Sequence, residues 1–295
     1  MMETINMKRK LGFISLSIIA LLLSGCNNPD HSESESTSTS DTSTSDTQSS
    51  TTESEEEIIK QYYSSISDDL TGDALLNALH DLNVQKKTSN YTYQDLRFLF
   101  QYTDRDPKKE VPSGKILGFY DNAQISSTWD SGKTWNREHV WPQSRGGNLV
   151  EGDLHMVRPT SVSVNEGRGN KAYGIGPGLY DPNEYNHPEY RGISARIVFY
   201  SAIADTSLKI VDNGKESTYQ MGVLSTMLKW NKEYLPEGKD SSKVAYRVEW
   251  YRNDAIYQSK LRELGHNRNP FIDHPEYACR IWGSTNSATK AACGM

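Results

Sequence analysis

Only three cysteines occur in 295 residues, too few for a disulfide-built scaffold, and no second apolar stretch follows the one at Leu11–Leu23. A polytopic membrane protein is thereby excluded. Mean hydropathy is -0.71 and hydrophobic residues make up 35%. The chain also has no excess of basic charge: its formal net charge is -6. No global positive field advertises a polyanionic partner, so any such partner must be met by local residues. Aromatic residues, by contrast, are plentiful. The 17 Tyr and 6 Trp are too many for a chain that never folds, and no repeat of the collagen kind is present.

The acidity is unevenly placed. Residues 1–57 hold 3 Lys/Arg against 10 Asp/Glu, whereas 58–295 hold 29 against 28. Lys8, Arg9 and Lys10 precede the apolar Leu11–Leu23 run, and Leu23-Ser24-Gly25-Cys26 follows it. A basic start, a short apolar core and small residues before a cut describe a secretory signal peptide over 1–25. Ser24 and Gly25 directly before Cys26 resemble the lipobox of bacterial lipoproteins, in which that cysteine carries the lipid and becomes the first residue. The expectation is a mature chain outside the cell, tethered to the membrane surface through a diacylated Cys26. Between residues 31 and 54, seventeen of twenty-four positions are Ser or Thr, and none is aliphatic or aromatic. Such a segment buries nothing to offset its ordering entropy, so residues 26–57 read as a disordered spacer.

From Ile58 onward the pattern is that of a folded domain, 58–295. Ile58, Ile59, Tyr62 and Tyr63, then Leu75, Leu76 and Leu79, recur at helical spacing. Residues 95–100 fit helix or strand equally. Ile116–Tyr120 and Trp135–Trp141 read as strands, the second stopped by Pro142. Residues 144–153 read as loop, 161–170 as a short helix and 171–192 as a long irregular connection. Helices are expected over Ser194–Ala204, Gln220–Tyr234 and Val244–Leu264. The fold class is α+β, a mainly helical single domain with a small central β element. An exported compartment permits Cys279 and Cys293 to pair, stapling the carboxyl tail.

The densest chemistry lies in Trp135-Asn136-Arg137-Glu138-His139-Val140-Trp141-Pro142, followed by Glu151-Gly152-Asp153-Leu154-His155 and by Val164-Asn165-Glu166-Gly167-Arg168-Gly169-Asn170. These segments supply an imidazole base, hard oxygen ligands and guanidinium groups, the parts needed for metal-assisted phosphodiester cleavage. Oxygen ligands favour Mg²⁺ over Zn²⁺. Neither His-Glu-x-x-His nor Gly-x-Ser-x-Gly occurs, and the glycines from 167 to 178 do not follow a strand. His155 has a bland alternative, a structural histidine bonded within its own loop.

Together these three segments resemble the signature of the endonuclease I family, secreted or periplasmic sugar-nonspecific nucleases, and look most like its extracellular Gram-positive ribonucleases. The resemblance is strongest over residues 130–175. It implies a ββα-metal (His-Me finger) site with His139 as general base, Glu138 and Asn165 on one Mg²⁺ (or Ca²⁺ or Mn²⁺), and Glu151 as a secondary ligand candidate. It also implies an arginine on the phosphate, with Arg145 first and Arg168 second. Arg137, Arg158 and Lys171 complete the local basic supply. RNA, DNA or both are the expected substrates of a monomer that grips backbone rather than bases. The alternative is a non-catalytic surface lipoprotein, an adhesin or ligand-binding protein, on the same scaffold. Alternation along a regular strand would send Glu138 and His139 to opposite faces, so the strand must end near them if they share a site.

Overall fold

The computed structural model describes residues 54–108, 113–214, 217–254, 264–265 and 267–295. Cys26, the leader and most of the spacer lie outside the described residues. The first helix, α1 (Glu55–Tyr62), starts three residues before the expected domain boundary, at the end of the acidic spacer. Its start is local chemistry: the Ser54 side chain accepts from the Glu57 backbone N–H, and Glu55, Glu56 and Glu57 face the positive end of the helix dipole. Helix α2 (Gly72–Lys86) follows, and α3 (Leu96–Thr103) resolves the ambiguous 95–100 stretch as helix.

Strands β1 (Lys115–Leu117) and β2 (Gln124–Ser126) form a small antiparallel pair. The expected strand at 116–120 stops early, because Tyr120 takes a positive φ of 77° and turns the chain. Strand β3 (Trp135–His139) pairs antiparallel with β4 (Val157–Ser161), with Glu138 opposite Arg158 and His139 opposite Val157. Helix α4 (Val162–Arg168) leaves β4 directly and packs against both strands. Between β3 and β4 the expected loop carries two single-turn 3₁₀ segments, Gln143–Arg145 and Gly147–Leu149. Gly147 is required there, since a Cβ would come within 1.8 Å of the Trp141 carbonyl oxygen.

The 171–192 connection contains a two-residue parallel ladder, β5 (Ala172–Tyr173) with β6 (Leu179–Tyr180). Helix α5 (Glu189–Ala204) starts five residues earlier than its expected Ser194, straight after Pro188. It is buried nearly all round and therefore central, flanked by α2, α6 (Leu224–Glu233) and α7 (Val244–Asn253). Gly192 lets the α6 end approach it, since a Cβ would sit 2.3 Å from the Tyr234 carbonyl oxygen. Gln220–Met221 is not the first turn of α6 but strand β8, paired parallel with β7 (Lys209–Ile210). The last helices are α8 (Pro270–Asp273), α9 (Tyr277–Trp282) and α10 (Ser287–Cys293). The fold is mixed α+β, and among the described residues no helix is long and apolar enough to cross a membrane.

Cys279 of α9 and Cys293 of α10 are disulfide-bonded across 14 residues. Closing a loop of that length removes denatured-state entropy worth roughly 3 kcal/mol. Reduction, or Cys293→Ser, is therefore expected to lower the urea midpoint by the corresponding amount. An unchanged midpoint would mean that the tail unfolds separately from the domain.

Candidate active site

The first and third motif segments meet at one cleft of about 190 Å³, lined by Arg137, Glu138, His139, Pro142, Gln143, Asn165, Gly169 and Asn170, and Glu151 of the second segment contacts its wall through His139 and Gln143. Its position follows from strand alternation. Arg137 and His139 share the face of β3 that meets Tyr93: the Arg137 guanidinium lies 3.6 Å over the Tyr93 ring, and the His139 ring centroid is 5.3 Å from it. Glu138 points to the other face, where α4 packs. The cleft opens at the end of β3, where the two faces meet. Glu138 and His139 are thus neighbours in sequence that reach one site from opposite sides.

Glu138 is buried, and its Oε1 carries two protein contacts. The Tyr120 hydroxyl donates to it at 2.9 Å, and Arg168 Nε lies 3.1 Å away. Both fall on Oε1, and the residue also lines the cleft. Burial pushes the Glu138 carboxyl up to about 7, against the pull of Arg168 and Tyr120. Tyr173 donates in turn to the Tyr120 oxygen at 2.6 Å, and its ring lies under the Arg168 guanidinium. Burial raises Tyr173 to about 12 and Tyr120 well above its ordinary value, so both remain donors at neutral pH. Tyr120 aims its hydroxyl from its left-handed backbone conformation, a strain of order 1–2 kcal/mol for a residue with a side chain.

His139 is nearly buried, with Nε2 3.5 Å from Glu151 Oε2 and in no hydrogen bond. Burial holds its pKa below 6.5, although Glu151 and a backbone hydrogen bond at Arg137 oppose the shift. The imidazole is neutral at physiological pH. Glu151 is partly exposed and accepts from Gln143 Nε2 at 2.8 Å. Asn165 and Arg168 are three residues apart on α4, adjacent on its surface: Arg168 lies beneath Glu138 and Asn165 lines the cleft.

The arginines are placed unequally. Arg168 is fully buried and also donates to the carbonyls of Val140 and Gly169. Arg145 is buried too, with Nε donating to the Asn170 carbonyl at 2.9 Å, while its own carbonyl accepts from Trp141 Nε1. Arg158 pairs with buried Asp104, and exposed Lys171 donates to the Gly167 carbonyl. Arg137 is the guanidinium that lines the cleft. Sequence reading alone did not single out Tyr93, Tyr120 or Tyr173. They come from separate loops and a two-residue strand, and no spacing links them to the Glu-His pair.

His155 lies away from the cleft lining. It is buried against Tyr200, its backbone N–H donates to Asp153 Oδ1 of its own loop at 2.8 Å, and its Nε2 meets the distant Asn267 carbonyl at 2.7 Å. Burial lowers its pKa to about 4. Its neutral form belongs to the fold, so its contribution is complete above the unfolded value of about 6.5 and is lost as pH falls through 4. The loss amounts to roughly 3 kcal/mol. Urea midpoints should fall over this window in the wild type and less steeply in His155→Gln. Identical slopes would remove His155 from the acid response.

A family model described as Endonuclease I matches residues 71–276, and the chain belongs to this family. That membership makes it a nuclease, a phosphodiester hydrolase. Two relatives carry the name extracellular ribonuclease. The chain is 34% identical to that of Bacillus amyloliquefaciens over 242 residues, covering 75% of this chain and 78% of the relative. It is 33% identical to that of Bacillus subtilis (strain 168) over 234 residues, covering 72% and 75%. No solved structure matches it.

Proposed function

We propose that the protein is a Mg²⁺-dependent, largely sequence-nonspecific endonuclease that hydrolyses nucleic-acid backbone outside the cell, with His139 as general base. The observation that carries this reading is a neutral, nearly buried imidazole, its Nε2 in no hydrogen bond, beside a carboxylate and an amide in one cleft. His139 takes the proton from the attacking water. Glu151, close to Nε2, partners the imidazolium that results.

The cleft suits a hard cation sparingly held. Among the described residues no three His, Cys, Asp or Glu side chains gather into a cage. Glu138 and Asn165 are the cleft-lining residues that carry hard side-chain oxygens for such an ion, and Mg²⁺ commonly takes one or two such ligands while keeping waters and substrate phosphate. Bound there, it would supply Lewis-acid stabilisation of the phosphate oxygens. Arg168 and Tyr120 orient Glu138 from below. The extracellular setting follows the two ribonuclease relatives, and the tether at Cys26 rests on the sequence signature of the leader.

Plasmid DNA and total RNA should both be tested with and without EDTA. Loss of cleavage in EDTA and its return with Mg²⁺ are expected. Glu138→Gln and Asn165→Ala should need several-fold more Mg²⁺ for half-maximal rate. Cleavage that continues in EDTA would overturn the metal assignment.

A further inference from the structure

Beside His139 the cleft wall is built in layers. The Arg137 guanidinium lies 3.6 Å over the Tyr93 ring and 5.2 Å from the Trp129 ring, and Trp129 in turn meets Trp135 edge-on at 4.8 Å. A hydrogen bond from Arg137 to the Tyr93 carbonyl, 2.8 Å long, fixes the guanidinium in this stack. Tyr93, Trp129 and Arg137 are all only half-buried, so the tier meets solvent next to the cleft. Arg97 stands close enough to repel Arg137, so two like charges are held together where an anionic chain would relieve them. Three separate segments contribute: the approach to α3, the β2–β3 connection and β3 itself.

A flat cation–aromatic tier has one kind of good partner among the parts of a nucleic acid. Nucleobases offer a π-face to aromatic rings and to guanidinium planes, whatever their identity. In a duplex those faces are already stacked and paired, and only sugar and phosphate reach the surface. A tier beside the reacting phosphodiester therefore gains nothing from a paired strand.

We propose that Tyr93, Arg137 and Trp129 seat an unpaired base next to the scissile phosphodiester, which makes single-stranded nucleic acid the preferred substrate. This rests on the nuclease reading and adds the substrate class to it. The tier works by positioning: its contribution appears in substrate affinity rather than in the chemical step.

The test uses single-stranded RNA and DNA oligonucleotides, blunt duplexes of the same sequence, and single strands carrying abasic sites around the cut. In Trp129→Leu and Arg137→Lys, kcat/KM on single strands should fall roughly 10- to 100-fold, mainly through KM, the scale of one lost base stack. In Trp129→Leu, duplex cleavage should change less than about twofold. Abasic substrates should cost the wild type a similar factor and cost the variants little more. Circular dichroism melts confirm that both variants fold, and Tyr93→Leu serves if Trp129→Leu does not. Equal losses on single strands and duplexes, or abasic and side-chain losses that simply multiply, would overturn the tier. Anisotropy of a labelled single strand, measured with His139→Ala in EDTA, separates this proposal from the nuclease reading. A 10-fold or larger affinity loss on adding Trp129→Leu supports the tier even if the wild type cuts nothing. Unchanged affinity overturns it even if the wild type cuts well.

Discussion

Replacing His139 with alanine should lower the cleavage rate by a factor on the order of 10² or more while leaving nucleic-acid affinity nearly intact, the scale and signature of a lost general base. Raising Mg²⁺ should not restore the rate, in contrast to Glu138→Gln and Asn165→Ala. The pH profile carries a second part of the same expectation. A base acts only when unprotonated, and burial holds the His139 imidazole below its ordinary 6.5. At saturating Mg²⁺, which keeps the Glu138 carboxylate charged, activity should therefore persist below pH 6.5 before the acid limb sets in. Glu151 raises the His139 pKa, so Glu151→Gln should move that limb further into acid. Wild-type rates in His139→Ala would assign the proton transfer to another group.

The second large effect is on stability. Arg168 is fully buried and holds Glu138 together with two backbone carbonyls. Arg168→Met should destabilise the domain by about 3–5 kcal/mol, because it strands a buried carboxylate and two carbonyls. Equilibrium urea denaturation measures the loss. The loss should be largest at alkaline pH and shrink as pH falls towards 7, since the Glu138 carboxyl already sits near 7 with Arg168 pulling it down and, without that pull, takes up a proton more readily. Arg168→Met combined with Glu138→Gln should recover part of the loss, because the charge is then gone. If the two changes are simply additive, the pair is not coupled and the buried ion pair does not hold the site together.

The segment that lines the cleft was legible in the sequence because its residues are contiguous. Trp135 through Pro142 carries strand, Glu-His pair and stop signal within eight positions, and β3 ends at His139, as a site shared by both neighbours requires. The helices with strong apolar spacing, α1, α2 and the core of α5, were equally readable. What could not be read has one physical cause: it is made of contacts between positions far apart in the chain. Tyr120 reaches Glu138 by a left-handed turn that no residue type announces. Arg145 and Arg168 both lie in Gly-rich segments. Only the packing reveals that their guanidiniums hold backbone carbonyls and, for Arg168, a buried carboxylate. Strand β4 was missed because Arg158 and Pro159 interrupt its apolar pattern, yet both positions are buried.

The chain from Tyr173 through Tyr120 to Glu138 and Arg168 has a thermodynamic meaning of its own. Its hydroxyls and guanidinium are fixed when the domain folds: Tyr173 donates to Tyr120, Tyr120 donates to one Glu138 oxygen, and Arg168 pairs with that same oxygen. Little dipole reorientation then remains to be done when a charged ligand enters. In a site solvated by water, turning those dipoles would add to the activation barrier. Here the contacts that orient Glu138 are in place before any ligand arrives, which is preorganisation of the carboxylate.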